Sequence, residues 1–229
     1  MLFLLLIVIR LLKLFRIMAR LSQGILGGVL GKIGNVVGSS WKGIAVIKSK
    51  PLSVANPRTT KQVAQRTKMT NVVAFAQSIL ASVIKPLNDR FAQQASGFND
   101  FVRRNIALFT NVTPSPASDL RISSGQMEQV DPISAVCNAG EAFVTISFPT
   151  SFSDAFSASA DLVYAVVMNE NTGAIGLAGG SVIRSAGEIV VSRLGLTTAG
   201  DVLHIWLAFR RADGTVVSNT GYLESAVTA

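Results

Sequence analysis

The C-terminal half of the chain carries short runs of β-branched and aromatic residues, and turn residues separate each run from the next. Six such runs occupy residues 142–148, 162–168, 174–183, 188–194, 202–209 and 216–222. Asn171-Thr172-Gly173 and Ala212-Asp213-Gly214 are among the turns between them. Runs of this length and spacing are typical of antiparallel sheets. They predict an immunoglobulin-like or jelly-roll-like β-sandwich domain over residues 119–229, with Trp206 in a central strand.

The segment before this domain, residues 59–110, has apolar residues at the three- and four-residue spacing of helices. The pair Asn56-Pro57 precedes the pattern, and proline suits the entry to a helix. We predict a first helix at about 60–85 and a second at about 88–109, forming a hairpin with a small phenylalanine core. The fold class is therefore α+β: a glycine-rich N-terminal arm and a helical hairpin, followed by an antiparallel β-sandwich.

Residues 18–58 form a basic arm in which seven glycines lie between Gly24 and Gly43. The arm does not match a phosphate-binding loop, because Gly31-Lys32 is followed by Ile33 where the Walker motif needs Ser or Thr. Closely spaced glycines instead favour close backbone approach in an extended arm or bent ribbon. The alternation in residues 44–48 predicts a short strand.

The first 17 residues form a hydrophobic leader that also contains Arg10, Lys13 and Arg16. Its uninterrupted apolar run is shorter than the roughly 20 residues that span a bilayer. Three interpretations remain: a basic amphipathic helix on a membrane surface, a misplaced start with translation beginning at Met18, and a helix buried in an assembly.

Several short motifs after Met18 resemble an uncharacterised domain family of Gram-negative gut and environmental bacteria and their phages. They are Gly24-Ile-Leu-Gly-Gly, Gly31-Lys-Ile-Gly-Asn-Val-Val-Gly, Trp41-Lys-Gly, Lys50-Pro, Asn56-Pro-Arg-Thr, Gln62 and Gln65-Arg66. The resemblance implies an origin and no particular activity. The leader departs from the family pattern, which favours a start at Met18.

Charge is divided unevenly along the chain. Up to Thr110 there are 16 Lys and Arg against two acidic residues, a net charge of +14, and the remainder has 5 against 11, a net charge of −6. No Asp or Glu occurs before Asp89. Such an excess predicts an acidic partner, either nucleic acid or an anionic membrane surface.

The predicted phosphate-binding residues lie in the arm and at the start of the first helix. They are Lys32, Lys42, Lys48, Lys50, Arg58, Lys61, Arg66 and Lys68. If the membrane is the partner, Arg10, Lys13 and Arg16 of the leader are the expected contacts.

Catalytic signals are weak. His204 is the sole histidine, Cys137 is the sole cysteine, and neither occurs in a motif of nucleophilic catalysis. The carboxylates Asp131, Glu141, Asp154 and Asp161 have no spacing that indicates an acid–base pair. We expect no enzyme activity, cofactor, metal or small-molecule substrate.

The function expected from these patterns is that of a structural protein of a virion or mobile element, with the basic arm on nucleic acid and with self-assembly or other structural proteins as further partners. The alternative is a membrane-attached or cell-surface binding module. A virion or the cytoplasm is the expected location, or a membrane if Met1 is the true start.

Overall fold

The computed structural model of the chain describes residues 20–21, 28–41, 44–51, 53, 56–192 and 194–229. These residues belong to two compact units, Met1–Pro57 and Arg58–Ala229. The leader at 1–17, with Arg10, Lys13 and Arg16, lies outside the described residues, and so does Lys42.

The N-terminal unit contains a four-stranded antiparallel sheet with the strands in sequence order. Its strands are β1 (Arg20–Leu21), β2 (Val29–Ile33), β3 (Val36–Trp41) and β4 (Ile44–Ser49). A side chain at Gly38 would overlap the carbonyl oxygen of Val29, so glycine is required where these backbones meet. The strand predicted at 44–48 is confirmed as β4. Within the described residues, most of the predicted arm is therefore a small sheet.

The helical segment begins at α1 (Thr60–Ile79), where Thr59 and Gln62 form a capping box. The helix continues as one π-helical turn, Leu80–Ile84, and ends as α2 (Lys85–Asn88). The second long helix was predicted from residue 88, but α3 spans only Gly97–Asn105, followed by a 3-10 turn at Ile106–Leu108. It begins late because the Ser96 hydroxyl caps the helix at that point by accepting a hydrogen bond from the Asn99 N–H.

The C-terminal segment forms one seven-stranded antiparallel sheet in the order β11-β10-β7-β8-β9-β6-β5. The strands are β5 (Ser134–Val136), β6 (Phe143–Ser147), β7 (Leu162–Asn169), β8 (Ile175–Ile183), β9 (Glu188–Ser192), β10 (Val202–Arg210) and β11 (Gly221–Ala226). Five of the six predicted runs coincide with strands. The sixth, predicted at 216–222, is displaced towards the C-terminus as β11, and β5 was not predicted.

Alternate residues of strand β10, which lies between β11 and β7, face opposite sides of this sheet. Leu203, Ile205 and Leu207 are buried on one side, with apolar residues of β6, β7 and β9. On the other side, Trp206 is buried with residues of the helices, including Phe75. Each face of the sheet therefore has its own hydrophobic core, which explains why β7 and β10 are apolar at nearly every position.

The sheet curls until its two ends nearly meet. Beyond β11, the Thr228 N–H donates to the carbonyl of Cys137 at 3.0 Å, and the Ala139 N–H donates to the carbonyl of Thr228 at 2.9 Å. The predicted antiparallel, β-rich fold with helices is confirmed. The seven strands hydrogen-bond as one sheet. The immunoglobulin-like or jelly-roll-like sandwich type is not confirmed by this arrangement and stays a prediction.

The helices and the sheet share a core, although the sequence placed a boundary between them at 110–119. The rings of Phe75 and Trp206 meet edge to face at 6.2 Å, and the Trp206 Nε1–H donates to the carbonyl of Ala117 at 2.9 Å. Gly179 in β8 allows the helix to approach, since a side chain there would lie 2.7 Å from the carbonyl oxygen of Ser82. Both elements consequently fall in one compact unit, Arg58–Ala229.

Candidate functional site

Two of the predicted phosphate-binding lysines lie on one face of the N-terminal sheet. Lys32 of β2 and Lys48 of β4 are both cross-strand neighbours of Val37 in β3. Cross-strand neighbours project from the same face, and adjacent strands are about 4.8 Å apart. Both lysines are exposed. The backbone therefore presents two ammonium groups on the same side of the sheet.

Lys50 follows directly after β4 and is also exposed. Its backbone N–H donates to the carbonyl of Asn35 at 2.6 Å, which fixes the chain where it leaves the strand. The side chain is thus placed at the end of the sheet that holds the β2–β3 turn.

The first turns of α1 are exposed around their whole circumference, since every residue from Thr60 to Thr67 is exposed. Lys61 and Lys68 lie seven residues apart, which is close to two helical turns, so they share one side of the helix. No acidic residue occurs in the first turn. This part of the helix has little core packing and presents a basic surface.

Arg58 and Arg66 line one groove, together with Thr67, Thr70 and Asn71. Its volume is about 340 Å³, and Val63 supplies an apolar wall. A guanidinium offers five donors in a planar fork that matches phosphate oxygens, and hydroxyl and amide groups add further donors. The structure brings these two arginines together, whereas Lys61 and Lys68 do not line the groove.

The chemistry of this region is that of anion attraction. Because the sequence has no Asp or Glu before Asp89, carboxylates of that segment cannot neutralise its cations. Lysine and arginine side chains bind phosphates mainly through charge, and each neutralised phosphate releases counterions. Within the described residues, this region presents several exposed cations to an anionic ligand.

His204 lies at the edge of the helix-covered face of the large sheet. Its Nδ1 is 2.9 Å from the Tyr222 hydroxyl, and its Nε2 is 3.6 Å from Oε2 of Glu170. Burial, together with Glu224, raises the pKa of Tyr222 to about 12. Within the described residues, no Ser, Thr or Cys side chain is hydrogen-bonded to His204, so it lacks the nucleophile contact of a catalytic triad.

The four carboxylates considered as acid–base candidates each accept a hydrogen bond from a nearby backbone N–H. Asp131 accepts from Tyr222, Glu141 from Asn138, Asp154 from Glu128 and Ser157, and Asp161 from Ala158. Burial opposes ionisation of Asp154, but its hydrogen bonds and the charge of Arg184 outweigh burial and lower its pKa. These contacts position loops and do not form a carboxylate pair.

Sequence reasoning did not find a second pocket, which is lined by Arg104 and Arg121 and has a volume of about 610 Å³. Its walls come from segments that are far apart in the sequence, near residues 104–108, 118–123, 129 and 219–220. No local motif marks them, so only the folded chain reveals the pocket.

Metal binding and membrane insertion are two further possibilities for the described part of the chain. No group of three or more His, Cys, Asp or Glu side chains there is arranged to hold a metal ion. The helical stretch Thr60–Asn88 is long and apolar enough to cross a membrane, with a mean hydropathy of 1.3 over an 18-residue window. Several of its apolar residues, including Val72, Phe75 and Ile79, are buried against the rest of the protein, as in the core helix of a globular unit.

Comparison with known proteins identifies a family and a distant similarity to solved structures. The model of a family of unknown function, DUF6266, matches residues 28–224. No curated protein matches the sequence. Among solved structures, the chain is similar to CopC from Methylosinus trichosporium OB3b, with 14% identity and a TM-score of 0.26. The similarity covers 43% of this chain and 93% of the CopC chain.

Proposed function

The chain belongs to the family of unknown function DUF6266, and from its own residues we propose that it is a non-enzymatic protein that binds nucleic acid through phosphate contacts, without sequence preference. The observation that carries the proposal is the pairing of Arg58 and Arg66 in one exposed groove at the start of a basic helix. Lys32 and Lys48, on one face of the N-terminal sheet, supply a second set of cations.

Each set has a distinct part in this proposal. The arginine groove receives a phosphate through charge-assisted hydrogen bonds, and its hydroxyl and amide groups contact the sugar or neighbouring oxygens. The sheet lysines act as point charges that neutralise further phosphates. Because these contacts read no base edges, binding is general for duplex or single-stranded nucleic acid.

The proposed setting is a virion or a mobile element, in which the basic region faces packaged nucleic acid and the large C-terminal sheet contributes to a shell or its decoration. Support comes from the division of charge along the chain and from the sequence resemblance to a family of Gram-negative bacteria and their phages. Recovery of the protein in nuclease-resistant particles is the expected result. Recovery only in the membrane fraction would contradict this setting.

The test of the binding function uses the full chain and a fluorescent DNA duplex. In the test variant, Arg58, Lys61, Arg66 and Lys68 are replaced by Gln. If all four side chains contact phosphate, the plot of the log association constant against log salt concentration becomes less steep by about 3.6. These four contacts account for roughly a 150-fold loss of affinity when the salt rises from 50 to 200 mM, and the variant should lack that loss.

The matched control removes the same number of charges elsewhere, with Gln at Lys85, Arg90, Arg103 and Arg211. We expect the control to keep most of the salt slope, because those residues lie outside both the groove and the basic first turns of α1. Equal losses in the two variants would mean that only net charge matters, and unchanged binding in both would overturn the proposal.

Anionic vesicles provide the comparison with membrane attachment. If the leader binds membrane, deletion of residues 1–17 releases the protein from phosphatidylserine vesicles, while the helix variant stays bound. The nucleic-acid proposal expects the reverse: the deletion leaves DNA binding nearly unchanged and the helix variant loses it. If neither change affects either ligand, self-assembly becomes the remaining explanation.

A further inference from the structure

The pocket lined by Arg104 and Arg121 has the size of a small-molecule site. Its volume of about 610 Å³ lies within the range of roughly 300–1,000 Å³ typical of ligand pockets. Most of its walls are polar, and Ala107, Leu108 and Leu120 are the apolar residues among them. The site is unrelated to the basic groove of α1.

Buried amides hold the backbone of this pocket in place. The side chain of Asn105 donates to the carbonyl of Arg121 at 3.0 Å and accepts from its N–H at 2.9 Å. The side chain of Asn88 donates to the carbonyl of Ile122 at 2.9 Å. On the opposite side, the Thr220 hydroxyl accepts from the Ile122 N–H at 2.9 Å. The walls are therefore preformed, so the protein loses less conformational entropy when a ligand binds.

Both arginines keep unused hydrogen-bond donors. One nitrogen of Arg104, Nη2, donates to Asn88 at 2.9 Å and to Asp100, while its Nη1 is buried without a partner. Asp100 also accepts from Arg103, and these bonds lower its pKa although burial opposes the shift. The Arg121 side chain is exposed and has no hydrogen bond or ion pair within the described part of the chain.

Arg104 is already ion-paired with Asp100, so the exposed Arg121 guanidinium supplies the free charged donors of this pocket, and an oxyanion is the partner that a guanidinium binds best. The pocket also contains one carboxylate, Asp119, whose Oδ1 accepts from Ser118. A ligand that carried only negative charge would be repelled there, whereas a hydroxyl group would donate to that carboxylate. Gln129 and Asn219 add amide groups of the kind that bind hydroxyls.

We propose that this pocket binds a small oxyanion that also carries hydroxyl groups, such as a sugar phosphate or a sugar acid. The oxyanion contacts the Arg121 guanidinium on the wall that Arg104 also lines, and the hydroxyls face Asp119 and the amides. This assignment differs from the sequence-based expectation, which included no small-molecule ligand. It does not depend on nucleic-acid binding by the helix.

The experiment titrates the full-length, isotopically labelled protein with glucose 6-phosphate, glucuronate and neutral glucose, and follows the amide signals by NMR. We expect saturable shifts at residues 118–123 and 219–220 with at least one of the two anions, and none with glucose. Binding of glucose 6-phosphate alone identifies a phosphate ligand, and binding of glucuronate alone identifies a carboxylate ligand.

Two variants test the assignment. Arg121→Gln removes an exposed side chain and is expected to weaken binding about tenfold or more, whereas the control Arg211→Gln, outside the pocket, keeps the affinity. Ala107→Tyr fills the pocket without changing its charge and should abolish binding. The conclusion therefore does not rest on Arg121→Gln alone.

Three outcomes would overturn the proposal: no saturable shift with either anion, shifts confined to residues 58–71, or equal weakening by Arg121→Gln and Arg211→Gln. DNA binding by Arg121→Gln serves as a separate readout and should stay unchanged. Failure of this site and failure of the proposed function are thus distinguishable.

Discussion

Phe75 connects the long helix to the large sheet, and its replacement by alanine tests whether the two elements unfold together. The side chain is 4% exposed. Its ring lies 5.3 Å from that of Phe109, 6.3 Å from that of Phe101 and 6.2 Å from that of Trp206. Phe75 therefore contacts the second helical region and a central strand at the same time.

The expected cost of Phe75→Ala is about 3–5 kcal/mol, the usual range when a buried Phe is truncated in a core. Aromatic pairs contribute about 0.5–1.5 kcal/mol each beyond burial, which places this site towards the upper end. For a domain of this size, the melting temperature should fall by roughly 6–20 °C. Urea unfolding followed by circular dichroism and by tryptophan fluorescence measures the loss.

We expect both signals to change in one transition, because helix and sheet share the core. Val63→Ala is the control in the same helix; that side chain is 45% exposed, and the change should cost no more than about 0.5 kcal/mol. A loss below about 1 kcal/mol for Phe75→Ala, or separate helix and sheet transitions, would refute the shared core.

Three further predictions concern other parts of the chain. Asp161→Asn should destabilise the protein by about 3–5 kcal/mol in urea unfolding, because it removes the carboxylate that forms an ion pair with the fully buried Arg184. Absorbance titration against Tyr222→Phe should find the phenol ionising with a pKa of about 12, raised mainly by burial and also by neighbouring carboxylates. Between about pH 10 and 12 the folded state retains the phenol proton while the unfolded state loses it. The contribution of Tyr222 to the free energy of unfolding is therefore present below pH 10 and is lost as the pH rises towards 12. Gly38→Val should speed hydrogen exchange throughout β2 and β3, because the new side chain overlaps the backbone of Val29.

Much of the local structure follows directly from short-range patterns. The start of α1 is predictable because Asn56-Pro57 and a capping threonine are neighbours in the sequence. Most strands of the large sheet are likewise visible as β-rich runs between turns. The late start of α3 was missed because a capping serine within a polar stretch is a weak signal beside the apolar spacing that extends upstream of it.

The candidate sites likewise combine features that the sequence shows with features that only the structure shows. Sequence alone shows that the first part of the chain carries uncompensated positive charge, because counting charges needs no coordinates. It does not show that Arg58 and Arg66 share a groove while Lys61 lies elsewhere, since that depends on where each side chain leaves the helix.

By itself, the sequence determined the β-rich character, the long helix and the excess of positive charge in the first half, because each depends on neighbouring residues or on composition. Only the tertiary structure decided that the helices cover one face of a single curled sheet and that Arg104 and Arg121 line the same pocket. Both results depend on contacts between residues distant in sequence, and such contacts are selected by the packing of the whole chain.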